Sequence, residues 1–366
     1  MRSFMFRKKY IFFLLFYLAL ILFVATDAWL YQIPVARIQK VRTEESGVKS
    51  GARGEKEQYY EQTMEAKLLN GDQKGDKILL KNEYSASQVI NQKYHKWDQV
   101  LVSLNGEGKT ATIKTLKRDV YLAALFGLMV ILLLLITKKQ GVLTIATLVV
   151  NLGIYGAGFT LYLQGKDILK ICNLMAILFM VTTLLFLNGF SRKTFAAVLS
   201  SFCVLALIMA IFFAVMNRVA EPDYSAMEYL GTIENPEDIF AAEVMLAGLG
   251  AIMDVAVTIS AALSELLEKK PDLTFRSLFR SGREIGYDIM GTMISVLLFT
   301  FGSSLIPSFL IRMNNEVSFL TMVRLHIPLE IVEFLIESIG IVAAIPISIL
   351  ISSCLLRRRG RRSEAI

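Results

Sequence analysis

Apolar residues in this chain come in long unbroken runs. Eight of them stand between successive charges: Tyr10 to Thr26, Val120 to Thr137, Gln140 to Gly165, Ile171 to Ser191, Thr194 to Asn217, Val244 to Ser264 (interrupted by Asp254), Ile289 to Arg312 and Ser338 to Leu356. A helix needs about 20 mostly apolar residues to cross a bilayer core. Helices that are apolar on every face are buried in lipid or in a very large core. The pattern predicts an all-α membrane bundle of about eight transmembrane helices.

Between the first two runs the pattern changes. Residues 31–118 are charged and polar, with short alternating stretches at Met64 to Asn70, Asp76 to Tyr84, Gln99 to Asn105 and Thr110 to Leu116 that read as strands. Asn70-Gly71-Asp72 to Gly75-Asp76 and Asn105-Gly106-Glu107-Gly108 supply the turn residues hairpins require. The expectation is a small extracytoplasmic all-β domain, OB-like in kind, inserted after the first helix, with residues 42–56 as a flexible tether. Its aromatic residues (Tyr59, Tyr60, Tyr84, Tyr94 and Trp97) form no evident stacking row for bases or sugars.

Composition agrees: 54% of the 366 residues are hydrophobic and 19% charged, against about 25% charged in a soluble domain. The net charge of +7 is explained by where the 39 basic residues sit. With the N-terminus inside, 18 of them fall in cytoplasmic segments and five in short outer loops, the asymmetry that orients membrane proteins. This places both termini in the cytoplasm and removes the reason to invoke nucleic acid. The domains expected are a cytoplasmic N-terminus (1–9), an uncleaved anchor (10–30), the outer β domain (31–118), a seven-helix membrane domain (119–356) and a basic tail (357–366). Cys172, Cys203 and Cys354 all lie within spans, so no disulfide is expected.

Ionisable residues inside spans are functional candidates, because a charge at the bilayer centre costs about 2.5–3.5 kcal/mol. Asp254 lies ten residues from either end of its run. The face it shares with Ala247, Gly250, Ala251, Val257, Thr258 and Ala261 is small enough to admit another helix, so Asp254 is expected to point into the bundle. In the next span Gly282 and Gly286 form a small-xxx-small pair. Asp288, Gly291, Thr292, Ser295 and Gly302 follow as a polar stripe, with Asp288 about one turn inside and open to a helix-start reading. Glu330, Glu333 and Glu337 share a face of the last helix, which Pro328 opens. The outer loop from Glu221 to Glu243 adds seven acids and no Lys or Arg, two of them explained by an Asn235-Pro236 helix start.

Only two histidines occur, His95 and His326, far apart, and no phosphate-cradling G-x-x-x-x-G-K-[ST] is present. No metal, cofactor or ATPase chemistry is therefore expected. Two intramembrane aspartates on consecutive spans raise the possibility of an aspartyl intramembrane protease, but the glycine before the second aspartate is missing. No enzyme is expected.

Four segments carry a resemblance: Gly248 to Ile259 (GLGAIMDVAVTI), Leu278 to Gly282 (LFRSG), Ile285 to Met293 (IGYDIMGTM) and Ile339 to Pro346 (IGIVAAIP). Together they resemble the signature of the YibE/F-like family of bacterial multipass membrane proteins, over about Leu116 to Leu355. The resemblance implies a place in the bacterial cytoplasmic (plasma) membrane, an N-terminal anchor, an outer β domain, a seven-span core and a permease role with no assigned substrate. The chain departs from the pattern after Met293, in the Ile294 to Phe301 region. Glu330 fits a family glutamate, whereas Glu333 and Glu337 do not.

Two functions follow as expectations. One is an ion- or proton-coupled secondary transporter of an unknown small solute, with Asp254, Asp288, Thr258, Thr292, Glu330 and Glu337 as binding candidates and Gly250, Gly282, Gly286 and Gly291 as helix-packing positions. The alternative is a non-transporting scaffold or envelope assembly factor that meets an extracytoplasmic protein through residues 31–118.

Overall fold

The computed structural model describes residues 2–50, 56–88, 91–104, 110–218, 224, 235–325 and 327–357, with side chains from residue 13 onward. The expected turn at 105–108, most of the acidic loop before Asn235, His326 and the basic tail beyond Arg357 lie outside the described residues. Eight helices are long and apolar enough to cross a membrane. The chain divides into two units, Met1–Gly141 and Val142–Ile366.

The first unit begins with α1 (Arg2–Thr26) and a 3-10 turn (Asp27–Leu30). Five strands follow, β1 (Val35–Ser50), β2 (Lys56–Leu68), β3 (Lys77–Ser85), β4 (Gln99–Leu104) and β5 (Thr110–Leu116), and then α2 (Asp119–Thr137). The strands close into a barrel in the order β1-β2-β3-β5-β4, parallel only between β3 and β5. Period-two alternation puts Ala36, Ile38, Met64, Ala66, Leu68, Ile78, Leu80, Val100 and Val102 into its core. The turn between β2 and β3 uses Gly71 (φ +80°) and Gly75 (φ +103°), a left-handed conformation that glycine adopts without a Cβ penalty. Gln62, fully buried, closes the loop before β4: its Oε1 accepts from the Tyr94 N–H at 3.0 Å, and its Nε2 donates to the Tyr94 carbonyl at 3.0 Å.

One expectation is corrected here. Residues 42–50 of the expected tether are not flexible linker: they belong to β1 and pair in register with β2 from Arg42↔Thr63 to Ser50↔Lys56. The pairing persists because cross-strand hydrogen bonds do not need apolar side chains, while register shifts at Ile38/Lys40 and Glu45/Gly47 hide the period-two signal. For the same reason β1 itself carries no clear alternation in the sequence. Of the five aromatic side chains, Tyr60 and Tyr84 stack at 5.2 Å between ring centroids, a single directly opposed cross-strand pair rather than a row.

A buried ion-pair network holds the barrel to its two helices. The side chain of Lys117 is 1% exposed, and its ammonium lies 2.7 Å from Asp27 Oδ1 and 2.8 Å from Asp119 Oδ2 while donating to the Val24 carbonyl at 2.7 Å. Tyr31 Oη donates to Asp119 Oδ2 at 2.7 Å. That hydrogen bond, burial and the two aspartate charges push the Tyr31 phenol up from 10.0 to about 12. The folded state therefore holds this proton more tightly than the unfolded chain. The stability this gives is complete below pH 10 and is lost as the pH rises through 12. In a phenolate absorbance titration, the difference between wild type and Tyr31→Phe is expected to show one phenol ionising near pH 12; a midpoint near 10 would mean that Asp119 does not hold it.

The second unit contains most of α3 (Lys139–Leu163), with α4 (Ile168–Asn188), α5 (Arg192–Met216), α6 (Pro236–Lys269), α7 (Phe275–Asn314), the short α8 (Phe319–Leu325) and α9 (Ile327–Arg357). Caps set several starts: Asp167 accepts from the Lys170 N–H and Ser191 from the Thr194 N–H, while Pro236 opens α6 at a position where no N–H is needed. The core lies between α5, α6 and α9, around Ile208, Phe212, Phe240, Met245, Ile252, Ile259, Ile341 and Ile349. α7 meets α9 most closely at two glycines, and further along Phe301 stacks on Phe334 with ring centroids 5.9 Å apart. A methyl group on Gly282 would stand 2.7 Å from Ile349 Cγ1, and one on Gly286 would stand 2.5 Å from Ile345 Cγ2. Leu278, Gly282 and Gly286 are the only fully buried residues of its 40. The three cysteines are free.

Candidate functional site

Helix register explains which polar groups meet. Phe212 of α5 packs on Phe240 of α6 with ring centroids 5.5 Å apart, and Ile208 lies against Gly248, so α5 and α6 run antiparallel. α6 and α9 run in the same direction, with Gly248 against Glu337, Ile252 against Gly340 and Ser260 against Ser352. Carried back toward the N-terminal end of α9, this offset brings Glu243 of α6 level with Glu330 and Glu333.

The consequence is a cluster of four carboxylates. In this register Glu243, Glu330, Glu333 and Glu337 share one end of the α6–α9 seam, Glu337 buried, Glu330 and Glu333 half-buried and Glu243 exposed. Glu337 is 7% exposed, with its Cγ 3.4 Å from where a Gly248 Cβ would be. Glycine at 248 thus leaves room for the glutamate to lie against α6. Among the described residues no hydrogen bond or ion pair reaches any of the four. The cations on the helices packed on α9 nearest this end are Arg218 just after α5, Arg312 on α7 and Arg324 on α8, and among the described residues none forms an ion pair with the four glutamates. No group of three carboxylate, imidazole or thiol side chains among the described residues is arranged to hold a metal ion. Carboxylates inside a span with no cation paired to them are groups suited to taking up and passing on protons.

The aspartates lie elsewhere. Asp254 does not point into the bundle but is exposed on α6. The buried arc of α6 runs through Val244, Gly248, Ile252, Val255, Ile259 and Leu263, and Asp254 falls on the opposite side of the helix. Both faces carry small residues, so side-chain size could not distinguish them. Gly250 and Gly291, expected to admit neighbouring helices, have nothing within 4 Å of a would-be Cβ. Asp288 and Thr292 are exposed on α7, and Thr258 is half-buried. Thr292 donates only to the Ile289 carbonyl. Because α7 begins at Phe275, capped by Thr274, Asp288 lies more than three turns inside the helix, and the helix-start reading fails. Among the described residues no hydrogen bond or ion pair links Asp254, Asp288, Thr258 and Thr292. Of the sequence candidates, the structure brings together Glu330 and Glu337, and adds Glu243 and Glu333. The signal for Glu243 lay in the α6–α9 register, not in its own neighbourhood.

Residues 125–358 match the family model described as YibE/F-like protein, and residues 29–116 match the YibE/F family N-terminal domain. The chain belongs to the YibE/F-like family. No curated protein and no solved structure matches it. The two matches meet where the barrel ends and α2 begins, so this YibE/F-like protein carries the family's N-terminal domain as its barrel and the family's main domain as its helices.

Proposed function

We propose that this YibE/F-like protein is a proton-coupled membrane permease whose proton-exchanging group is Glu337. The observation that carries this reading is a carboxylate 7% exposed within a span, packed on Gly248 of α6 and without a hydrogen-bond or ion-pair partner among the described residues. Glu337 takes a proton from the shared Glu330–Glu333–Glu243 group, becomes a neutral acid, and returns to carboxylate when it gives the proton up. An intramembrane ionisable group that faces other protein rather than lipid is the usual mark of such a relay. The basic segments support placement in a bacterial plasma membrane with both termini cytoplasmic and the barrel outside. The strand order supports the OB-like reading of that barrel. No catalysis is part of this reading.

The test is proton flux into proteoliposomes under an imposed potential, followed with a trapped pH-sensitive dye. Glu337→Gln is expected to lose at least about tenfold of the flux, as acid–base groups commonly contribute that much or more. Asp254→Asn, on the far side of α6, is expected to retain most of it. Wild-type flux in Glu337→Gln would overturn the proposal. It would favour the second reading, a scaffold built on the barrel, which is supported by the rigid clamp of Lys117 between barrel and helices.

A further inference from the structure

The protein has two tryptophans, Trp29 and Trp97, and both are exposed, at 66% and 63%. Tryptophan is highly buried on average, so two open rings raise the question of what they meet. Trp29 lies in the 3-10 turn directly after α1, within the apolar stretch of the first span, Phe13–Leu30. It therefore marks where α1 leaves the bilayer. Trp97 stands in the loop before β4, and hydrogen bonds at both ends of that loop set its height. Arg118, the residue before α2, donates from its guanidinium to Gln92 Oε1 at 3.0 Å, and Gln99 Nε2 donates to the Ala25 carbonyl in the last turn of α1 at 3.0 Å. Residues 92–99 are thus tied to the ends of two helices that are long and apolar enough to cross a membrane.

The backbone singles out the same residue. Trp97 has a φ of +79°, a genuine outlier for a bulky side chain. Its N–H donates to the Ile38 carbonyl at 2.8 Å, and the Ile38 N–H donates to the Asp98 carbonyl at 2.9 Å. These bonds clamp the loop on β1 in a conformation that glycine would adopt without strain. The ring itself lies open, with the Lys96 ammonium 5.1 Å from its centroid. Strain kept for a side chain that packs so little on its own barrel points to a use outside it. The loop is also basic: Lys93 and Lys96 are exposed beside Trp97, and its one acid, Asp98, accepts from the His95 N–H at 2.7 Å.

We propose that this loop is a lipid-docking surface, with Trp97 seated in the headgroup layer of the bilayer that α1 and α2 enter and the ammonium groups of Lys93 and Lys96 on phospholipid phosphates. Tryptophan collects at this depth because its ring is apolar while its N–H is polar. Each lysine supplies a charge-assisted donor to a phosphate oxygen and is drawn further by anionic headgroups. Trp29 and Trp97 then anchor the barrel at the membrane surface from two sides, one on the helix end and one on the strand loop. The barrel rests on the bilayer instead of standing clear of it.

Because the chain has only these two tryptophans, each can be read alone in the full protein. In vesicles of phosphatidylcholine and phosphatidylglycerol, Trp29→Phe leaves Trp97 as the sole reporter. Lipids brominated on the acyl chain close to the headgroup are expected to quench its fluorescence at least about twofold more than lipids brominated near the chain end, as interface depth requires. Trp97→Phe, which reports Trp29, should show the same order. Quenching of Trp97 by aqueous acrylamide with none from either brominated lipid would put the ring in water and overturn the proposal. Quenching by none of these reagents would overturn it in favour of a protein partner or a second copy covering the loop. Raising the phosphatidylglycerol content tests the lysines. Quenching of Trp97 by the headgroup-proximal bromine should rise about twofold in Trp29→Phe and stay constant once Lys93→Gln and Lys96→Gln are added. An equal rise in both proteins would overturn the lysine contacts with phosphate.

Discussion

Lys117→Met is expected to destabilise the first unit by about 3–5 kcal/mol, the usual result of removing one partner from a buried ion pair. Among the described residues the ammonium is the only group that neutralises both Asp27 and Asp119, at 2.7 and 2.8 Å. Methionine fills the volume but leaves two carboxylates facing each other across a buried site, and it strips the Val24 carbonyl of its donor. At roughly 4 °C per kcal/mol for a unit of this size, thermal unfolding in detergent should begin more than about 12 °C lower. Adding Asp27→Asn and Asp119→Asn to Lys117→Met should recover most of the loss, because the charges rather than the volume are the cost. A triple variant as unstable as the single one would show that packing, not charge, holds the barrel to α1 and α2.

Gly286→Leu is expected to cost about 3 kcal/mol, at the upper end for overfilling a packed contact. Even the first carbon of any side chain there would lie 2.5 Å from Ile345 Cγ2 and 3.0 Å from Ile345 Cδ1, and α9 cannot yield because α5 and α6 press on its other sides. Ile345→Ala should therefore offset much of the loss, giving a coupling of about 1–3 kcal/mol in a double-mutant cycle. Gly291→Leu, one and a half turns on along the same helix but with nothing within 4 Å, should be neutral or better in the same unfolding assay. Equal losses at 286 and 291 would mean that α7 does not dock on α9 through this glycine.

The spans were legible because eight long apolar runs admit one reading in water and another in lipid, and only the second is affordable. The helices overrun those predicted boundaries where charged ends continue the hydrogen-bond ladder: α6 begins at Pro236 rather than Val244, and α7 at Phe275 rather than Ile289. Four strands were legible from alternation. β1 was not, because its bulges shift the phase and its second half is too polar to resemble a buried strand. The choice of functional face failed for a different reason. On α6 both arcs carry small residues, and only the partners decide which is inside. Glu337 was recognisable as closest to the apolar run, but its neighbour Glu243 is 94 positions away in sequence, and nothing local announces that the two helices run side by side in that register. The Ser260–Ser352 contact escaped notice for the same reason, since single serines on two helices are unremarkable until the helices are aligned.

The long hairpin has a consequence for handling the protein. Beyond Ile38, the side of β1 facing away from β2 meets no third strand among the described residues, so a run of backbone donors and acceptors up to Ser50 lies open to another chain. Lys40, Arg42, Glu44, Glu45 and Lys49 stud this stretch, and charges on an open edge keep a second strand from laying itself alongside. That guard is electrostatic. Its range shrinks from about 10 Å at 0.1 M salt to about 3 Å at 1 M, so concentrated salt leaves the edge exposed to self-association at the concentrations used for crystallisation.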